Sequence, residues 1–177
     1  MKSPLLLDFY WTYSIDRWEE KKLELQNLID NTTLLEKDTS ISLLSTDREI
    51  SRNYTSKVIQ IISSELQAFA ESIDAKELEI VDCWTVQYKK GDYQSVHTHG
   101  GSSYTGCIYI DFDKNEHEGT KLVTNGIDSE TNGTAIVSPD IKEGDIMIIP
   151  SNILHFVTPN RSDKLRTILA FDINKQL

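Results

Sequence analysis

A mainly β fold, a sandwich or barrel of short strands with two N-terminal helices packed on one face, is predicted for this chain of 177 residues. Three observations predict it. The texture changes once, near residue 78, from helical periodicity to β-rich runs. Clusters of turn-forming residues separate those runs. With 38% hydrophobic and 26% charged residues, the chain has the composition and length of one globular domain with a sizeable core. The expected organisation is a single domain, 1–177, with a helical part at 1–78 and a β core at 79–177.

Residues 14–30 carry Ile15, Trp18, Leu23, Leu25, Leu28 and Ile29 among charges, the pattern of an amphipathic helix. Ser14 or Asp16 could cap it. The stretch NTTLLEKDTSISLLS reads as loop. A second helix is predicted from Thr46, where Thr46 and Glu49 make a capping-box pattern. Its apolar stripe is Val58, Ile62, Leu66, Phe69 and Ile73, at helical steps of three and four. From Glu79 onward the strand candidates are EIVDCWTVQY, SSYTGCIYIDF, TKLVTN, GTAIVSP, GDIMIIP, LHFVTPN and LRTILAFDIN. Between them lie KKGD, KNEHEG, NGIDSETNG, KEGD and NRSD, whose Gly, Asn and Asp favour turns.

The net charge of −10 argues against non-specific binding to a phosphate backbone. No basic, aromatic-lined groove is visible in the acidic stretch 111–145, so nucleic acid is not an expected partner. No apolar run approaches the ~20 residues of a membrane helix. The PLLLDFY stretch near the start is too short for a signal-peptide core, and no small-residue cleavage site follows it. Cytosolic residence is the expectation. Cys83 and Cys107 lie in strand candidates and are expected to be buried, reduced thiols.

Three of the four histidines form a metal-ligand pattern. His97 and His99 are two apart, which on an extended strand puts both rings on one face, ~7 Å apart along the backbone. They can meet one ion where the strand end curls. His155, from a later strand, can supply a third ligand, and three protein ligands leave positions open for substrate and O2. Arg166 follows eleven residues after His155. A close histidine pair, a long gap, a lone histidine and then a basic residue is the order of a mononuclear metal site in a double-stranded β-helix. His117, in the polar turn KNEHEG, is expected to be solvated.

From WTVQYKKGDYQSVHTHGGSSYTGCIYI to EGDIMIIPSNILHFVTPNRSDKLRTILAFDIN the chain resembles the 2-oxoglutarate/Fe(II) oxygenases of bacteria and tailed phages. That family carries a G…Q…H-x-H…S-G-v-Y-Y block followed by a G-D…P-S…H-x-V…R-x-S-I-A-F-N block. The resemblance covers roughly the C-terminal half. It implies a double-stranded β-helix (jelly-roll, cupin-like) and a dioxygenase using Fe(II), 2-oxoglutarate and O2, most often for hydroxylation. His97, His99 and His155 would be the iron ligands. Arg166 would bind the distal carboxylate of 2-oxoglutarate, a planar fork that stays charged and pairs bidentately. Tyr109 is a candidate hydrogen-bond donor to the same co-substrate, with Tyr104 and Thr105 beside it on that strand, and Gln94 could hydrogen-bond around the iron ligands or face the substrate. The chain departs from the pattern at Ile168, where the family has serine, and at Thr105-Gly106, where it has Ser-Gly. The commonest oxygenase triad is two histidines and one carboxylate, so His99 is the unusual ligand.

The same residues also resemble cupin signatures: Gly91 and His97-x-His99, then Gly144, Pro150 and His155, with Asn152 where glycine is usual. The cupin glutamate is missing, which leaves a three-histidine iron dioxygenase without 2-oxoglutarate as the alternative. A third reading is a non-catalytic β-helix binding module. The prime substrate is expected to be a protein side chain, a peptidyl proline first, or a small molecule, approaching near the GGSSY and KNEHEG loops. A homodimer stays open as the assembly, and a bacterial host cell is the compartment if the chain is phage-encoded.

Overall fold

The structure is a computed structural model and describes residues 10–176. All but the last residue of the PLLLDFY stretch lies outside the described residues. Strand β1 (Trp11–Ser14) precedes helix α1 (Trp18–Asp30), then β2 (Leu35–Thr39) and β3 (Ser42–Thr46), helices α2 (Thr55–Ile61) and α3 (Ser63–Ser72), and β4 (Glu77–Tyr88). The remainder is strand: β5 (Tyr93–His97), β6 (Tyr104–Asp111), β7 (Lys121–Ile127), β8 (Thr134–Val137), β9 (Asp145–Pro150), β10 (His155–Val157) and β11 (Arg166–Gln176). They join in one sheet in the order β1-β9-β6-β11-β4-β3-β5-β10-β7-β8, with β2 paired to β3. The sheet curls into two layers, the double-stranded β-helix, because its inner residues need each other. Trp84, Tyr88, Cys107, Tyr109, Met147, Ile149, Ile168 and Ala170 from β4, β6, β9 and β11 pack with Leu44, Leu122 and Val157 from β3, β7 and β10.

The period-two alternation of strands sorts side chains between two cores. On β11, Leu169, Phe171 and Ile173 face outward, as do Ile108 and Ile110 of β6 and Ile146 and Ile148 of β9. The helices cover that outer face with Leu25, Ile29, Val58, Ile62, Leu66 and Phe69. The stripe read from the sequence is therefore the buried one, with Ile73 packed at its margin. Leu23 of α1 points to solvent, 63% exposed.

Two turns share one chemistry. In KKGD, Asp92 accepts the Lys89 N–H at 2.8 Å; in KEGD, Asp145 accepts the Lys142 N–H at 3.0 Å. Their glycines, Gly91 and Gly144, sit at φ +90° and +83°, where a side chain is strained. A Cβ on Gly144 would also lie 2.8 Å from the Trp18 ring, which packs on this turn.

The N-terminal part departs from expectation. It is not only helical, since β1, β2 and β3 join the sheet. The stretch expected to be loop forms the β2–β3 hairpin. The second helix does not begin at Thr46. That residue ends β3, and its hydroxyl donates to the Thr85 carbonyl at 2.8 Å and accepts the Arg48 N–H at 3.2 Å, a local turn in place of a cap. The helix starts nine residues later and breaks at Ile62, so there are three helices among the described residues. Neither Ser14 nor Asp16 caps α1. Arg17 takes the cap position at φ 51°, and the Ser14 hydroxyl donates to Asp145 at 2.7 Å.

Asp47 ties the irregular segment after β3 to the sheet. Fully buried, it accepts the Thr85 N–H at 2.8 Å and the Tyr54 hydroxyl at 2.6 Å. Asp47→Ala strands both donors, and the expected loss is about 2–4 kcal/mol of unfolding free energy. Urea unfolding measures it. A loss under about 1 kcal/mol would mean that water replaces the carboxylate.

Candidate metal centre

His97 ends β5 and His155 begins β10, and the two are direct cross-strand partners. The register between these strands slips by one residue between His155/Val157 and His97/Gln94. That bulge lets Gln94 and His97, three apart in sequence, both face the interior, where they line one pocket. His99 lies just past the strand end, its N–H bonded to the Ser151 carbonyl at 2.9 Å. The chain curls there, and the three rings meet. Ring centroids are 4.2 Å apart for His97–His155, 5.2 Å for His99–His155 and 5.3 Å for His97–His99. One nitrogen of each ring lies within 4.8 Å of one in the other two.

The hydrogen bonds decide which nitrogen. His97 Nδ1 lies 2.8 Å from the Ser95 carbonyl, His155 Nδ1 2.9 Å from the Ile153 carbonyl, and His99 Nδ1 2.7 Å from Asp172 Oδ1. Each partner can only accept, so each Nδ1 carries the proton and donates. In the neutral ring Nε2 is then a free lone pair. Burial, with repulsion from His97 behind it, holds the His155 imidazole down to about 3. Burial likewise holds His97 below its ordinary range. Neutral imidazoles with free Nε2 are what a divalent cation requires. The donor set therefore fits iron, in the open three-ligand form of a reactive site.

The pocket beside the rings has a volume of about 480 Å³ and is mostly apolar, lined among others by Trp84, Met147, Ile149 and Ile168. Tyr88 and Thr120 also line it, and behind them lies Arg166, which is 2% exposed. Its guanidinium carbon is 5.1 Å from the Tyr88 ring centre, and Nη2 is 3.4 Å from Thr120 Oγ1. Its Nε has no hydrogen-bond partner, and among the described residues no carboxylate pairs with it. The far side of Arg166 faces a smaller cavity of about 290 Å³ that also touches Glu116, Glu118 and Arg161. A buried, unpaired guanidinium is costly; a carboxylate entering the pocket would satisfy it.

The other expected residues are placed as follows. Tyr109 is fully buried on the inner face; its hydroxyl donates to Thr120 Oγ1 at 3.1 Å and accepts the Thr120 N–H at 3.2 Å. It supports Thr120, and its ring centre is 5.7 Å from the Arg166 guanidinium carbon. Thr105 borders the pocket, its hydroxyl donating to the Phe171 carbonyl at 3.2 Å. Tyr104 lies on the other side of the sheet, edge-on to Trp11 and Phe69 under the helices. Gln94 accepts the Tyr88 hydroxyl at 3.0 Å. Cys83 and Cys107 are buried free thiols. His117 is not solvated: it is buried, with Nδ1 accepting the Asp113 N–H at 3.1 Å and Nε2 donating to the Lys164 carbonyl at 3.1 Å. It fastens its loop and is not one of the three clustered rings. Sequence reasoning missed Trp84, Tyr88, Thr120 and Asp172. Strand parity could have found three of them, since 84 and 88 on β4 and 172 on β11 share the inward face of Arg166.

Residues 82–172 match the family described as "Putative 2OG-Fe(II) oxygenase". No curated protein matches the chain. Solved structures do. The non-heme alpha ketoglutarate dependent epimerase SnoN from nogalamycin biosynthesis superposes with a TM-score of 0.73 at 11% identity, over 95% of this chain and 78% of that one. A Pseudomonas putida prolyl-4-hydroxylase gives 0.65 at 10% identity, over 96% and 94%. HygX from Streptomyces hygroscopicus, with nickel and 2-oxoglutarate bound, gives 0.67 at 10% identity, over 97% and 84%. At these identities the likeness is one of fold. No helix among the described residues is long and apolar enough to cross a membrane.

Because His97 and His155 hold lower affinity for protons folded than unfolded, the unfolded chain takes up protons first as pH falls. Their contribution to stability is full above pH ~6.5 and shrinks toward pH 3. The metal-free protein should lose on the order of 1 kcal/mol per pH unit there. Urea midpoints measured between pH 7 and 5, above the carboxylate range, check it. His155→Gln should flatten the slope; an unchanged slope would mean that the ring is protonated in the folded state.

Proposed function

The chain belongs to the 2OG-Fe(II) oxygenase family, and from that premise we propose that His97, His99 and His155 hold its Fe(II) and that Arg166 holds the distal carboxylate of 2-oxoglutarate. The observation that carries this reading is a pair of unmet needs on one inner face: three clustered imidazoles lining a pocket and, behind the Tyr88 and Thr120 that also line it, a buried guanidinium with no carboxylate partner among the described residues. When bound, Fe(II), 2-oxoglutarate and O2 supply the oxidation, one oxygen atom going into a C–H bond of the substrate and the other into succinate as CO2 leaves.

The chain's own residues do the rest. The carbonyls of Ser95 and Ile153 and the Asp172 carboxylate keep the three imidazoles turned Nε2-inward. Arg166 orients the keto acid by a charge-assisted contact that is strong in a buried site. Tyr88 and Thr120 frame the way to it. The apolar lining of Trp84, Met147, Ile149 and Ile168 excludes water from the space between. Ile168, standing where the family pattern has serine, leaves the acid to Arg166 and its neighbours.

The substrate is a protein side chain or a small molecule, as for the Pseudomonas putida prolyl-4-hydroxylase and for HygX, solved with hygromycin B. A peptidyl proline is the first candidate. The net charge of −10 disfavours nucleic acid. The two buried free thiols suit a reducing cytosol.

Anaerobic titration of the Fe(II)-loaded protein with 2-oxoglutarate tests the reading through the weak visible charge-transfer band of keto-acid chelation. The wild type should develop the band. Arg166→Ala should raise the 2-oxoglutarate concentration needed on the order of 100-fold while iron stays bound. Iron binding without a band, or a band indifferent to Arg166, would contradict the assignment.

A further inference from the structure

His99 is held differently from its two partners. His97 and His155 bond to carbonyls two residues back in their own segments. Those bonds come with the local backbone. His99 lies beyond the end of β5, and its Nδ1 is bonded to a carboxylate 73 positions away in sequence, at 2.7 Å. Asp172 and His99 side chains are 8% and 7% exposed, so water does not compete.

Asp172 is itself fixed. Its second oxygen is 3.4 Å from Arg48 Nη2. Across the β11–β4 pair it stands in register with Asp82, just before the ladder slips by one residue. Facing aspartates repel, and Arg48 lies between them, 3.8 Å from Asp82. Arg52 also pairs with Asp82. The Arg48 guanidinium further covers the Trp84 ring at 4.0 Å, and Trp84 stacks on His99 with centroids 5.8 Å apart and 23° between planes. Orientation and lateral support of His99 thus pass through one cluster, buried at Asp172 and Trp84 and open to solvent at Arg48.

A site of three neutral imidazoles leaves a divalent ion with no ligand charge against it, where the commoner triad supplies a carboxylate. We propose that Asp172 is the positioning residue that lets a third imidazole serve at this centre: it holds His99 with Nε2 toward the ion and sets a negative charge one ring away from it. A carboxylate behind a ligating histidine fixes the tautomer and makes the ring a stronger donor. This proposal rests on the metal reading above.

The test is Co(II) alone, titrated into the whole chain by calorimetry, with the Co(II) visible spectrum recorded alongside. Asp172→Ala should weaken binding about 10–100-fold and alter the ligand-field bands. Asp172→Asn, whose amide oxygen can still accept from Nδ1–H, should recover part of the loss. In a His99→Asp background, which carries the carboxylate on the ion itself, Asp172→Ala should cost nothing or tighten binding. His99→Ala serves the same arm if His99→Asp does not fold, and there Asp172→Ala should cost nothing further. An equal loss with and without His99, or no loss with it, would overturn the positioning role while leaving the metal site standing. If the wild type binds no Co(II), the metal reading falls and the proposal falls with it.

Discussion

Three imidazoles can share one cation only if every ring is neutral and turned the same way, and free histidines are neither. An unrestrained ring rotates, and near neutrality part of its population is charged. Here each Nδ1–H is tied to an atom that only accepts, at 2.7–2.9 Å, and burial suppresses protonation of His97 and His155. The remaining architecture serves that constraint. The bulge in β5 turns His97 inward, the curl past the strand end delivers His99, and the β11–β4 ladder puts Asp172 behind it.

The sheet also separates two jobs. Its outer face meets the helices in an ordinary apolar core, where Phe69, Phe171 and Ile108 are essentially inaccessible to solvent. Its inner face can then carry groups a core would reject: Arg166, Asp172 and three histidines. Alternation along a single strand does this. On β11, residues 169, 171 and 173 pack in the outer core, while Arg166 and Asp172 lie on the inner face. The buried cation is tolerated because aromatic faces of Tyr88, Tyr109 and Phe112 surround it. They lower its cost without neutralising it.

Much of this was legible in the chain. Histidine order and the arginine after it, the turn-separated β runs, and the 58-62-66-69 stripe all rest on strong local signals. What was missed rests on weaker or non-local ones. LEKDT of β2 is almost wholly exposed and shows no alternation to read. Thr46 and Glu49 match a capping box, yet the Thr46 hydroxyl is taken by Thr85, 39 positions away. His117 sits in a polar turn but is buried, because a carbonyl 47 positions away accepts its proton. Tyr104 was grouped with Tyr109 as a neighbour on one strand, whereas strand parity sends the two to opposite faces. Asp172 stands at the end of the second block, where the family pattern has asparagine, but its meaning comes from His99 and Arg48, both distant in sequence.

The most direct measurement is anomalous diffraction from crystals grown with Mn(II) and 2-oxoglutarate under anaerobic conditions. The account predicts one ion bonded to Nε2 of His97, His99 and His155, with Asp172 still on His99 Nδ1 and a carboxylate of the keto acid on Arg166. An ion held through Nδ1 of any ring, or held by Asp172 in place of His99, would contradict it.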